Sequence, residues 1–229
     1  MNQTEREIHQ IFDRGAQVLE KVFRPGKSVH LAIDWQKLYC DPRFPFNPAA
    51  DLRLTQKIVR ALARMNETVQ ALRPLMPTCW IYQDVPLHYS NLPDKRIMKG
   101  FDPAQIQQKL NELRTEGRQL CGDVRPEDQV FCKQEYYDAY SSEELLRYLR
   151  ESRIFVHLLS GLTRTCCVKE TERGGNARGY SLFVMEDLTV DNFAPDDPLY
   201  LKLCQEAQRR GTHCVRSEDV KAIAAKFQP

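Results

Sequence analysis

Six short apolar runs alternate with longer amphipathic segments along the 229 residues of this chain. Short apolar runs bounded by turn residues are typical of buried strands, whereas apolar positions at helical spacing indicate helices that cover a sheet. The alternation predicts an α/β fold, a doubly wound, Rossmann-like six-stranded parallel sheet with helices on both faces. The predicted strands are residues 29–33, 78–82, 129–132, 154–159, 180–185 and 213–215.

The helical segments divide the chain into an N-terminal helix within residues 1–28 and a single domain over residues 29–229. Residues 89–128 form a possible insertion, because they are longer than ordinary connections in such folds. The predicted helices are residues 3–23 with the N-cap Thr4 and a capping box from Glu7, 52–72, 103–116, 142–152, a segment after Cys167, 197–210 with the N-cap Asp196, and a last helix after residue 217.

Asp34, Lys133 and Cys167 each lie at the C-terminal end of a predicted strand. In a parallel sheet these ends share one edge, and open α/β sheets bind ligands there. Cys167 also begins a predicted helix, whose free N–H groups and dipole lower a thiol pKa and can hold an oxyanion. Covalent catalysis is therefore one interpretation. The alternatives are a packing cysteine, a carboxylate that only caps the next element, and a solvated lysine.

Four motifs in this order resemble the isochorismatase-like cysteine hydrolase family. That family includes isochorismatases, nicotinamidases, N-carbamoylsarcosine amidases and ureidoacrylate amidohydrolases. The matching residues are Asp34-Trp35-Gln36 with Tyr39; Lys133 with the aromatic-rich turn at 136–140; Gly161-Leu162-Thr163 through Cys167-Val168 to Thr171, followed by Gly179-Tyr180; and Glu186-Asp187 with Asp191.

The resemblance implies a cysteine hydrolase that cleaves a C–N bond of a small amide or ureido substrate through an acyl-enzyme. Cys167 is then the nucleophile, Asp34 the general base, and Lys133 the cation that stabilises the thiolate. The backbone N–H groups of Thr163 and Cys167 form the oxyanion hole, and a non-proline cis peptide joins Leu162 to Thr163. Isochorismatase itself needs only acid chemistry, and members of that type can lack the cysteine.

Five residues near this edge are candidates for substrate binding. Arg164 stands where a threonine is usual, and it has two alternatives: a bidentate pair with a substrate carboxylate, or a pair with a surface acid that has no chemical role. Phe44 lies in a proline-rich loop at residues 40–50. The full set is Gln36, Tyr39, Phe44, Tyr137 and Arg164.

Departures from the family pattern keep two other functions open. Arg164, one extra residue in the turn after Lys133, and the pair Gly174-Gly175 inside a helix favour a catalytically silent binding or scaffold protein. A metal-dependent amidase would use Asp84 and His88. No second histidine is near them, so we predict neither a metal nor any cofactor.

The formal net charge is +2 with charges mixed along the chain, which excludes an electrostatic case for nucleic-acid or membrane binding. Eight scattered cysteines without a CxxC pair indicate reduced thiols. The chain shows no long apolar run and no leader, so we expect a cytoplasmic protein. The expected partners are a small-molecule substrate and further copies of the chain, in a dimer or tetramer.

Overall fold

The computed structural model describes residues 2–41, 52–84, 111–135, 137–191 and 196–228, with residues 104, 108, 193 and 194 in addition. Phe44, His88 and much of the predicted insertion lie outside these residues, and so does part of the predicted helix at 103–116. No helix in the described ranges has the length and apolar character needed to cross a membrane.

All six strands lie in one parallel sheet with the order β3-β2-β1-β4-β5-β6. This arrangement confirms the predicted doubly wound sheet. The order reverses between β1 and β4, and such a switch point is where open α/β sheets bind ligands. The strands are β1 Ser28–Ile33, β2 Thr78–Gln83, β3 Gln129–Lys133, β4 Val156–Leu162, β5 Ser181–Val190 and β6 His213–Val215.

Helices cover both faces of this sheet. One core lies between the sheet and α1, α3 and α7, and the other lies between the sheet and α4 and α5. Strand β1 is central and buried along its whole length, as expected for a strand covered on both faces. The helices are α1 Gln3–Val22, α2 Lys37–Cys40, α3 Leu52–Leu72, α4 Glu143–Glu151, α5 Cys167–Ala177, α6 Pro198–Arg209 and α7 Ser217–Ala225.

Strand β5 is longer than predicted, because the segment after Asp187 continues as strand to Val190. The pairing with β4 jumps from Leu159↔Val184 to Gly161↔Thr189, so β5 carries extra residues in an irregularity. The predicted strand, which ended at residue 185, was therefore too short. A bulge of this kind interrupts the apolar pattern that marks a strand in the sequence.

The predicted N-cap of α1 was wrong by two residues. Asn2 is the N-cap: its side chain accepts from the Glu5 N–H at 2.9 Å, and the Glu5 carboxylate accepts from the Asn2 N–H at 2.8 Å. The capping box is thus present, but it uses Asn2 and Glu5 in place of Thr4 and Glu7. Asparagine caps at least as well as threonine, and the earlier cap lets the helix begin two residues sooner.

The predicted N-cap of α6 was wrong by one residue. Asp197, not Asp196, accepts from the Leu199 N–H at 2.8 Å. Pro198 is the first helical residue, and proline favours that position because its ring presets a helical φ and it has no N–H to leave unpaired. The cap therefore falls on the residue directly before the proline.

The pair Gly174-Gly175 in α5 reflects close packing. A Cβ at Gly174 would lie 2.3 Å from the carboxylate of Asp138, and a Cβ at Gly175 would lie 2.9 Å from the side chains of Leu182 and Tyr140. These distances are shorter than van der Waals contact. The two glycines thus let α5 approach the turn after β3 and the strand beneath it.

The substitution Gly175→Ala is expected to lower stability by up to about 2 kcal/mol, although alanine is the better helix former. Overpacking costs about 1–3 kcal/mol and the helix gains about 1 kcal/mol. Thermal unfolding should show a fall in Tm of up to about 8 °C. Arg173→Ala on the exposed face of α5 serves as the control. A rise in Tm for Gly175→Ala would show that the packing at this position has room to spare.

Candidate active site

Asp34, Lys133 and Cys167 meet at the C-terminal edge of the sheet. Asp34 follows β1 with a φ of 57°, Lys133 is the last residue of β3, and Cys167 is the first residue of α5. The Lys133 Nζ lies 2.6 Å from Asp34 Oδ2, and both side chains are fully buried. The Cys167 thiol is close enough to both groups for their charges to act on it. The structure therefore brings the three predicted residues together at the switch point.

The charges of this cluster favour a protonated thiol. Burial and then the negative charge of Asp34 raise the pKa of Cys167 well above its usual value, while Lys133 opposes them. Burial tends to lower the pKa of Lys133, but Asp34 and Cys167 together raise it above its usual value. The expected lowering of the thiol pKa by the helix N-terminus is thus outweighed by desolvation. Lysine remains charged and the cysteine remains neutral.

One oxygen of the Asp34 carboxylate has no hydrogen-bond partner among the described residues. This oxygen, Oδ1, is buried. The other oxygen, Oδ2, is already bound to the charged amine of Lys133. One side of the carboxylate is thus fixed in place, and the other side can accept a proton.

The turn before Cys167 has the features that the resemblance implies. The peptide bond between Leu162 and Thr163 is cis. The Thr163 carbonyl accepts from the N–H groups of Cys166 at 3.1 Å and Val168 at 3.2 Å. The N–H groups of Thr163 and Cys167 donate no hydrogen bond within the described part of the chain. Both are therefore available for the oxyanion hole that the sequence predicts.

Asp191 holds the same turn from the end of β5. Its Oδ2 accepts from the Thr165 N–H at 2.8 Å and from the Thr165 hydroxyl at 2.6 Å. The sequence matched Asp191 to a motif without assigning it a role. Part of this role could have been predicted from the sequence, because an aspartate that follows a strand and a threonine before a helix are both typical capping residues.

Gln36 and Tyr39 bind the end of β2. The buried amide of Gln36 donates to the Gln83 carbonyl at 3.1 Å and accepts from the Gln83 N–H at 2.8 Å. The Tyr39 hydroxyl donates to the Gln83 side chain at 2.9 Å. These bonds fix the segment after β1 against its neighbouring strand. Substrate contact by either residue stays a prediction, and the observed contacts give both a positioning role.

Arg164 does not occupy the position of a substrate-carboxylate ligand. Its side chain is buried, with Nε 3.0 and 3.1 Å from the two oxygens of Glu186 and Nη1 3.2 Å from Glu172. Glu172 pairs in addition with Arg210 at 2.7 Å. This corrects the predicted substrate role. The sequence left two partners open for Arg164, a substrate carboxylate or a surface acid. The observed partners are acids of the protein itself, but they are buried and not at the surface.

Tyr137 lies near Cys166 and Cys167 and is 43% exposed, and its predicted contact with substrate stays a prediction. Burial raises its pKa, and the neighbouring thiols of Cys166 and Cys167 add to this shift. The tyrosine borders a cavity of about 360 Å³ that opens next to the nucleophile turn. The described residues that line it are Glu135, Tyr137, Asp138, Thr165, Cys166 and Glu170.

A family model for the isochorismatase domain matches residues 28–220. The chain belongs to the isochorismatase family. The match begins with β1, ends in α7 and leaves out α1. No curated protein matches the chain significantly in sequence.

Several solved structures share this isochorismatase fold at low identity. A cysteine hydrolase from Pseudomonas syringae pv. phaseolicola has a TM-score of 0.70 at 14% identity, over 90% of this chain and 96% of its own. N-carbamoylsarcosine amidase from Thermoplasma acidophilum has a TM-score of 0.60 at 19% identity, over 84% and 97%. Pyrazinamidase of Pyrococcus horikoshii, solved with zinc, has a TM-score of 0.59 at 16% identity, over 83% and 99%.

The described residues of this family member offer poor ligands for a metal near Cys167. Asp84 lies 3.7 Å from the guanidinium of Arg118, and His88 is outside the described residues. Within the described ranges, one buried group has the spacing of a metal site, namely Glu186, Cys204 and Cys214. Glu186 already accepts from Arg164, and that guanidinium disfavours a second cation beside it.

Proposed function

We propose that this protein is a cysteine hydrolase that cleaves a C–N bond of a small amide or ureido substrate through an acyl-enzyme on Cys167. The observation that carries the proposal is the buried contact of Lys133 with Asp34, at 2.6 Å, beside the Cys167 thiol. The names of the solved neighbours, a cysteine hydrolase and an N-carbamoylsarcosine amidase among them, support the same reaction class.

The thiol of Cys167 attacks the carbonyl carbon of the substrate, and Asp34 takes the thiol proton as the C–S bond forms. The N–H groups of Thr163 and Cys167 hold the oxyanion. When the intermediate collapses, the C–N bond breaks and Asp34 returns the proton to the leaving amine. Water then attacks the thioester, Asp34 takes one of its protons, and Cys167 regains that proton as the acid product leaves.

The raised pKa of Cys167 fits this sequence of steps. A thiol that stays neutral in the free protein avoids two adjacent negative charges in a buried site. Attack then depends on proton transfer to Asp34, whose Oδ1 has no other donor among the described residues. Lys133 stays charged throughout the reaction. Its positive charge compensates the negative charge, whether that charge is on Asp34 or on Cys167.

Iodoacetamide at about pH 6 is expected to alkylate Cys167 about ten-fold or more faster than the exposed Cys166, because Asp34 accepts the thiol proton during attack. The alkylation rate of Cys167 should change little between pH 6 and about pH 8.5, whereas the rate of a free cysteine rises over this range as its thiol ionises. Peptide mass analysis gives the rate at each cysteine. A panel of small amides and ureides, read by amine release, then tests turnover.

Cys167→Ser should abolish turnover, and Cys166→Ser is the matched control one position away. If Cys167 instead reacts more slowly than Cys166, with a rate that rises ten-fold per pH unit, it is an inert buried thiol. That result, together with no turnover of any amide, would favour the catalytically silent alternative.

Two of the three departures that suggested a silent protein have structural explanations. Arg164 fills a buried ion-pair network, and Gly174-Gly175 allow close packing of α5. Neither changes the contact between Lys133 and Asp34. These two departures therefore give no separate support to the scaffold function.

A further inference from the structure

Two cysteines from distant parts of the chain are held by the segment that follows β1. The N–H of Cys40 donates to the Gln36 carbonyl at 2.9 Å, and the N–H of Cys121 donates to the adjacent Trp35 carbonyl at 2.8 Å. Gln36 also pairs with Leu120 in an isolated antiparallel bridge. The backbones of both cysteines are therefore fixed to the same two residues.

The two thiols are neighbours as well. Each of them acts on the pKa of the other, which requires that the sulfur atoms of Cys40 and Cys121 lie close together. Both side chains are partly exposed, and both thiols are free. Paired antiparallel backbones are about 5 Å apart, and a disulfide joins Cα atoms about 4.4–6.8 Å apart. The two segments are thus close enough for a disulfide to bridge them.

The groups around this pair make Cys121 the more reactive thiol. The Cys40 thiol, and after it the charge of Lys37, lower the pKa of Cys121, although burial opposes them. The Lys37 amine donates to the Gln119 side chain at 2.6 Å, in the segment that carries Cys121. Contact with Cys121, burial and the charge of Asp34 raise the pKa of Cys40. Because the thiolate is the attacking form, we expect Cys121 to react first and Cys40 second.

Another pair of cysteines is close together but inaccessible. The sulfur atoms of Cys204 and Cys214 lie within 4.8 Å of each other, and neither residue has exposed surface. A small disulfide in solution therefore cannot reach them in the folded protein. Access thus distinguishes the pair of Cys40 and Cys121 from this buried pair.

We propose that Cys40 and Cys121 are a redox-active pair that forms an intrachain disulfide by exchange with a small disulfide such as glutathione disulfide. Cys121 attacks one sulfur of glutathione disulfide, whose S–S bond breaks, so that a first glutathione leaves and a mixed disulfide remains on Cys121. Cys40 then loses its proton and attacks the Cys121 sulfur, which expels a second glutathione. The two thiol protons end on the two released glutathione molecules. The cysteines lose two electrons, and glutathione disulfide gains them.

The disulfide joins α2 to the segment at residues 119–121, next to the candidate active site. Asp34 lies two residues before Gln36, and its charge acts on the Cys40 thiol. The bond therefore cross-links the segment that carries the proposed base. It also closes a long loop of chain, which restricts the unfolded state. The proposal does not depend on turnover at Cys167.

Thiol mapping of the full chain tests the pair. The reduced protein is incubated with glutathione disulfide at about pH 8, trapped with N-ethylmaleimide at intervals, and analysed by peptide mass without reduction. A peptide that links Cys40 to Cys121 should form at least about ten-fold faster than any product at Cys204 or Cys214. The Tm should rise by about 4–16 °C, and dithiothreitol should reverse both changes.

Single serine variants separate the two steps of the exchange. Cys40→Ser should accumulate the mixed disulfide with glutathione on Cys121, because no second thiol is left to displace it. Cys121→Ser should leave Cys40 unmodified, because the thiol of raised pKa is a poor attacking group. Cys132→Ser is the matched control, since Cys132 is also partly exposed, and it should form the linked peptide at the wild-type rate.

The wild-type mapping decides the proposal even if a variant does not fold. The proposal is overturned if Cys121 stops at the mixed disulfide, or if Cys40 and Cys121 stay unmodified while the exposed Cys166 reacts. It is also overturned if Cys204 and Cys214 become linked as fast, because access would then have no effect. The linked peptide is measured without substrate, so a failure of amide hydrolysis leaves this result unchanged.

Discussion

Asp34→Asn is expected to lower kcat/KM for amide hydrolysis by about 10²–10⁴-fold. Asparagine keeps the size of the side chain but cannot accept the thiol proton. Burial, the first cause of the raised pKa of Cys167, remains in the variant, while the base that accepts the thiol proton is lost. The measurement is steady-state hydrolysis of whichever amide the wild-type protein turns over, with Asp196→Asn as a control at an exposed position.

Asp34→Asn also leaves the buried Lys133 without its carboxylate, so folding has to be checked by circular dichroism and thermal unfolding. A folded Asp34→Asn protein should bind substrate but release little amine, and Cys167 should lose its rapid alkylation. Wild-type hydrolysis by the folded variant would contradict the role of Asp34 as the proton acceptor. The proposed mechanism would then have to be abandoned.

Arg164→Met is expected to destabilise the protein by about 3–5 kcal/mol, because it leaves two buried carboxylates without their shared cation. Glu186 and Glu172 are both almost fully buried, and Arg164 binds each of them within 3.2 Å. For a chain of this length the fall in Tm should be about 6–20 °C. Chemical denaturation gives the change in the free energy of unfolding.

Arg173→Met is the matched control for Arg164→Met, because Arg173 is 59% exposed in the next helix and its ion pair is at the surface. Its effect should stay within about 0.5 kcal/mol. Replacing Glu172 and Glu186 with glutamine in the Arg164→Met background should restore part of the loss, since no buried carboxylate then lacks its cation. Equal stability of Arg164→Met and Arg173→Met would show that the buried network contributes nothing.

The strands of this sheet were predictable because a strand that is buried on both faces is a short continuous apolar run in the sequence. Asp34, Lys133 and Cys167 could be placed at one edge for the same reason, since parallel strands end together. The four motifs added the roles that the resemblance implies. What the sequence determined is therefore the order of the elements and which polar residues end the strands.

The exact helix caps and the packing of α5 were not predicted from the sequence. The caps at Asn2 and Asp197 depended on competition between neighbouring residues of similar propensity. The glycines of α5 are explained by the residues packed against them. These packing contacts join residues distant in the chain, so no local pattern contains them.

The chemical state of the candidate site was likewise a tertiary property. The helix N-terminus predicts a lowered thiol pKa, but burial and Asp34 raise it. Arg164 has the chemistry of a carboxylate ligand, and whether it binds a substrate or Glu186 depends on what folds around it. Desolvation and pairing act over distances in space, so the sequence determined which groups are present, and the tertiary structure decided their charge and their partners.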